Sequence, residues 1–161
     1  MIEAPPDEKT EKDPGLTVRY LIFHGAVVLL IGLLLGFPYA LAINRADSAE
    51  VIHSWRIAHQ SLPIGAGLMF GFAAIFPSLV SSVRMKKWIA NSLTVSGYAF
   101  CLSLPLAALT SDRGLTWSPN GFNGLVFGGN LVGALASLVS AVLLLRASFI
   151  SLIEGRRTRL R

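Results

Sequence analysis

The sequence predicts an all-α integral membrane protein, a four-helix bundle with both termini in the cytoplasm. Three observations carry this. Four stretches contain no charged residue: Leu21–Asn44, Ile57–Val83, Trp88–Ser111 and Gly114–Leu145. Each holds at least the ~20 mostly apolar residues needed to cross a bilayer core. Apolar residues make up 53% of the chain and charged residues 14%, a membrane-like balance. Finally, the basic residues alternate in side. Lys9, Lys12 and Arg19 precede the first span, Arg84, Lys86 and Lys87 separate the second from the third, and Arg146, Arg156, Arg157, Arg159 and Arg161 follow the fourth. The other two connections hold only Arg45, Arg56 and Arg113, so the positive-inside rule places both termini inside.

The chain divides into a tail over 1–16, a four-span domain over 17–151 and a basic tail over 152–161. The first tail is rich in Pro, Glu, Asp and Lys and cannot bury apolar surface, so disorder is expected. Span one runs from about Thr17 to Leu41. Ala40-Leu41-Ala42 has the form of a cleavage site, but the apolar stretch is too long for a signal peptide and an acidic tail precedes it. A retained anchor in the cell (inner) membrane is expected. A short outer loop with His53 follows, and Trp55 marks the outer interface. Span two runs from about Arg56 to Val83, span three from Trp88 to about Leu109, and span four from about Leu125 to Ile150. Thr110–Gly124 reads as a loop.

The net charge of +5 is spread over the ends of the spans, so no nucleic-acid surface is expected. The single cysteine, Cys101, cannot form an intrachain disulfide. Gly32/Gly36, Gly67/Gly71 and Gly129/Gly133 are small residues at helix-packing spacing. They fit packing within one bundle or contacts between copies. Pro38, Pro63, Pro77 and Pro105 interrupt the spans, each removing a backbone donor.

Ionisable residues inside a membrane are the best pointers to function, and here they are His24 and His59. His24 enters from the inner side and His59 from the outer. They are expected near opposite faces of the bilayer, which excludes joint ligation of one metal or haem within a subunit. His59 alone suits a single axial haem ligand, with Ala66 and Ala73 on its helical face leaving room for a macrocycle. Arg56, one turn nearer water, suits the propionates. From the residues alone, an interfacial histidine bonded to a loop carbonyl or water is the plainer reading of His59. Val95-Ser96-Gly97 lacks a histidine at matching depth for a serine nucleophile. Asn130 and Tyr98 are polar side chains that can face a pocket or bond between helices.

The sequence resembles the styrene oxide isomerase family. The resemblance rests on His24-Gly25, Trp55…Ala58-His59, Pro77-Ser78-Leu79 and Arg113-Gly114-Leu115-Thr116, followed by Pro119-Asn120 and Phe122. It covers most of the chain. It implies a four-helix membrane enzyme that forms a homotrimer and binds haem b near subunit interfaces through His59. It further implies a small apolar epoxide as substrate, whose oxygen the ferric iron polarises so that ring opening and a 1,2-shift give an aldehyde or ketone. The residues that the resemblance places in the pocket as Asn, Asp and Tyr are Gly65, Ser96 and Leu104 here, and the arginine near the histidine is displaced by one position. Two other readings stay open: a haem protein for sensing or electron transfer, and a tetraspan accessory protein without cofactor.

Overall fold

The computed structural model describes residues 14–111, 114–118 and 121–159, with side chains for 15–111, 114–118 and 121–156. Every regular element in it is helical: α1 (Pro14–Leu34), α2 (Gly36–Asn44), α3 (Ala49–Ile75) followed by a 3₁₀ turn (Phe76–Ser78), α4 (Val83–Thr110) and α5 (Gly121–Arg159). Four segments are long and apolar enough to cross a membrane, with α1 and α2 forming one of them. The four-span reading of the sequence therefore holds.

The first span is broken at Leu35. Pro38 has no N–H to give the Leu34 carbonyl, and Gly36 relaxes the backbone at the break. Leu35 and Tyr39 still donate to Ile31 and Leu35 at 3.1 and 3.3 Å, so the chain bends without reversing. Pro63 and Pro105 lie within continuous helices, and Pro77 sits in the turn that ends α3. The hydroxyls of Ser48 and Ser82 cap α3 and α4 by accepting from Val51 and Met85, which satisfies donors that a helix start leaves orphaned. Ser111, with a φ of 60°, closes α4 in the left-handed region.

Several boundaries differ from those expected. His53 belongs to α3, not to a loop, because the Ser48 cap starts that helix at Ala49. Gly121–Gly124 opens α5 instead of ending a loop, and α5 continues beyond Ile150 to Arg159. Trp55 is buried against Ala42 and Ala108, near the ends of α2 and α4. Residues 1–13, on which most of the expected disordered tail falls, lie outside the described residues, as do Asp112, Arg113, Pro119 and Asn120.

α1 packs along α3, and α4 packs along α5 and bridges to the other pair. Glycines permit close approaches in both pairs. A Cβ on Gly32 would lie 2.5 Å from Pro63 Cδ, and one on Gly129 2.8 Å from Ser103 Cβ. Gly32/Gly36 and Gly129/Gly133 thus serve packing within the chain, whereas a Cβ on Gly67 or Gly71 would meet nothing within 4 Å. Helix α5 has no extensive partner but α4, and only 11% of its most apolar window is buried. Its outward Leu138 and Leu145 need lipid or protein cover.

Candidate functional site around His59 and the α3–α4 cavity

His59 faces the break in the first span. Its Nδ1 lies 2.9 Å from the carbonyl oxygen of Gly32. A carbonyl only accepts, so Nδ1 carries the proton and Nε2 keeps its lone pair. Among the described residues no hydrogen bond occupies Nε2. Two glycines one turn apart on α1 and α2 receive Pro63 and His59, one turn apart on α3. A Cβ on Gly36 would lie 3.1 Å from His59 Cε1, and Tyr39 stacks on the imidazole at 6.1 Å between centroids. The ring is thus held in orientation and tautomer, with one nitrogen left to ligate. Histidines that bind metals are prepared in this way, the second nitrogen donating to a backbone carbonyl or carboxylate.

The small residues beside the ring are therefore Gly32 and Gly36. Ala66 and Ala73, expected to leave room for a macrocycle, are at most 2% exposed and filled over by the core. Arg56 is exposed and donates to His53 Nδ1 at 2.8 Å, a partner the sequence did not suggest.

His24 lies at a separate place. Its Nδ1 is 2.8 Å from the Tyr98 hydroxyl, and the Tyr20 ring meets it edge-on at 4.2 Å. His24 precedes Gly36 by twelve residues, about 18 Å along a helix. That is less than the membrane thickness expected between the histidines, because the His59 ring reaches down beside Gly36. It is still far too long for both to bind one metal. Among the described residues no group of three or more His, Cys, Asp or Glu side chains could hold a bare ion.

A cavity of about 280 Å³ lies between α3 and α4, and α5 reaches it through Ser137. Gly65, Ser96 and Leu104 all line it. Space beside Gly65 is open, since a Cβ there would meet nothing within 4 Å. Ser137 donates to the Gly133 carbonyl at 2.9 Å, so in the 2.6 Å contact between Ser96 and Ser137 the proton comes from Ser96. The Ser96 oxygen is left as an acceptor. Asn130 lines a second cavity, of about 390 Å³, with His53, Ser54 and Leu115. Tyr98 faces a groove between α4 and α5. His59, Tyr98 and Asn130 thus stand at three separate places.

Residues 17–149 match the styrene oxide isomerase family. The chain belongs to the styrene oxide isomerase family. Comparison with curated proteins and with solved structures returned no match. Within this styrene oxide isomerase family chain, the Arg113-Gly114-Leu115-Thr116 element falls partly outside the described residues. Gly114 has a φ of +56°, and a Cβ there would clash with Val126. Asn123 then ties the loop to α5 by donating to the Thr116 carbonyl at 2.9 Å. These contacts deliver Leu115 to the second cavity, nearer the helix ends and so the outer of the two, the α3–α4 cavity with Ser96 being the inner.

Three participants escaped sequence reading: the Gly32 carbonyl, Tyr39 and Ser137. The signal for the first was present, as Gly-x-x-x-Gly on one span and His-x-x-x-Pro on its antiparallel neighbour have matching one-turn spacing. Ser137 had none, because a serine in a membrane helix usually bonds to its own backbone.

Proposed function

We propose that this protein isomerises a small apolar epoxide to an aldehyde or ketone, using haem b ligated by His59. The observation that carries the reading is the His59–Gly32 hydrogen bond, which leaves Nε2 as a preset ligand. Family membership supports the reaction class. The donor set fits haem, because a single imidazole suffices only for a metal that brings its own macrocycle.

Bound there, haem supplies a Lewis-acidic iron that polarises the epoxide oxygen. The chain supplies the rest. The Gly32 carbonyl holds the imidazole proton, and Gly36 and Tyr39 fix the ring plane. The mostly apolar walls of the inner cavity keep water from the opened ring, which would otherwise yield a diol. The lone pairs of Ser96 can face the carbon that becomes electron-poor as the C–O bond breaks. A neighbouring substituent or hydride moves to that carbon with its electron pair, and the remaining carbon and oxygen form the carbonyl. No atom or electron is gained or lost.

Gly65 follows His59 by six residues, about 240° round α3, so the ligand and the cavity occupy different faces of that helix. A second copy of the chain covering the bare α5 would bring a ligand and a cavity together. By family resemblance, the assembly proposed is a homotrimer in the cell membrane. One observation favours a second reading, haem binding without isomerisation: among the described residues no ionisable side chain lines the inner cavity.

The test is an absorption spectrum of detergent-purified protein, followed by incubation with aryl and aliphatic epoxides without any added redox partner. The proposal expects a Soret band and carbonyl product. A Soret band without turnover of any epoxide selects the second reading, and no band at all rejects both.

A further inference from the structure

The inner cavity shares a wall with the outer one. Leu104 lines both. On α3 the outer cavity is lined by Ser54 and Ile57 and the inner by Ser61, Gly65 and Leu68. These positions are spaced by three or four residues and so share one helical face. On α4 the same spacing runs through Leu93, Gly97, Phe100, Leu104 and Ala107, with Leu104 at the changeover. On α5, Asn130 belongs to the outer cavity and Ser137, two turns deeper, to the inner. Three helices thus give consecutive turns to one line of space, about 21 Å from Ser54 to Leu68. Polarity falls along it, from His53 and Asn130 at the mouth to serine hydroxyls within.

We infer that epoxide enters the inner cavity from the outer end of the bundle, through the vestibule beside His53 and Asn130, and that Leu104 is the constriction setting the largest substrate admitted. The inference rests on the inner cavity being the substrate site. Among the described residues no charged side chain lines the path: Arg56 points to His53 and lines neither cavity. It therefore suits an uncharged molecule that tolerates a polar mouth and a dry interior. The vestibule desolvates the substrate in steps, which costs less than burying an epoxide oxygen at once. Leu104 is half-buried, and its side chain stands where a larger residue would close the path and a smaller one would merge the two cavities into one.

Cysteine accessibility tests the path without reference to catalysis. In a full-length Cys101→Ser background, Gly65→Cys places a thiol in the inner cavity, where the structure has room for a side chain. A small uncharged alkyl methanethiosulfonate, of the polarity the path is argued to admit, is added to the proteoliposomes. The inference expects labelling that slows at least tenfold with Leu104→Trp and quickens with Leu104→Ala. Absence of labelling, or equal rates in all three proteins, overturns it. A membrane-permeable maleimide reports on variants that fold badly, and Leu104→Phe then replaces Leu104→Trp. A graded series of alkyl epoxides adds the size test, with kcat/KM in Leu104→Ala shifting toward longer chains at least tenfold. Labelling that obeys Leu104 in a protein without turnover rejects the isomerase reading and keeps the path. Turnover with labelling indifferent to Leu104 rejects the path and keeps the isomerase reading.

Discussion

His59 donates its Nδ1 proton to the Gly32 carbonyl across the α1–α3 contact, at 2.9 Å. This bond joins a close approach of α1 to α3 at Gly32 to the orientation of the proposed ligand. The packing that brings α1 to Pro63 also decides which imidazole nitrogen is free.

Gly36 is the position where that coupling is most exposed to test. A methyl added there would press on His59 Cε1 at 3.1 Å. Gly36→Ala is expected to weaken haem binding several-fold, and Gly36→Leu to abolish it, while far-ultraviolet circular dichroism stays helical. Haem titration followed at the Soret maximum gives the affinities. Equal affinity in Gly36→Leu would show that the ring is free to move.

Gly32→Ala probes stability instead. Its Cβ would lie 2.5 Å from Pro63 Cδ and 2.8 Å from Leu62 Cβ, neither of which is the end of a flexible side chain. A loss of about 1–3 kcal/mol is expected, the usual cost of overpacking. Thermal unfolding in detergent measures it, and an unchanged midpoint would contradict the close approach.

The sequence disclosed the fold readily and the site only in outline. Four long uncharged segments are dictated by bilayer thickness, so their number could be read from composition alone. The histidines were legible too, since an ionisable group in lipid is costly. What they touch was not. His24 and Tyr98 are separated by 74 positions, and their 2.8 Å contact depends on how α1 lies against α4. The Ala66 and Ala73 expectation failed for the same reason. A helical wheel shows which residues share a face, but not which neighbour already covers it. Gly65, Ser96 and Leu104, taken from the family resemblance as one set, do line one cavity.

That cavity predicts a substrate preference. Neutral Ser96 and apolar Leu104 stand where the family resemblance expects Asp and Tyr, so aryl epoxides should turn over slowly. Styrene oxide conversion to phenylacetaldehyde, assayed beside a family member with the polar set, measures this. Rapid conversion would show that a hydroxyl acceptor and an apolar wall suffice.

The charge pattern predicts that both termini face the cytoplasm. Cysteines placed in the N-terminal tail and at Arg113 should label from opposite sides of the membrane. Labelling of both from one side would defeat the four-span topology.

The bare face of α5 predicts an assembly. Native mass spectrometry of the haem-loaded protein should give a trimer. A monodisperse monomer retaining full haem would contradict a site completed between copies.

The central claim, that His59 is the ligand and His24 is not, has one direct measurement: the Soret band of His59→Ala and His24→Ala purified beside the parent protein. The account predicts that His59→Ala loses the band. His24→Ala should keep it, with only the ~0.5–1.5 kcal/mol of stability that one hydrogen bond contributes removed. A band that survives His59→Ala, or disappears with His24→Ala, would contradict it.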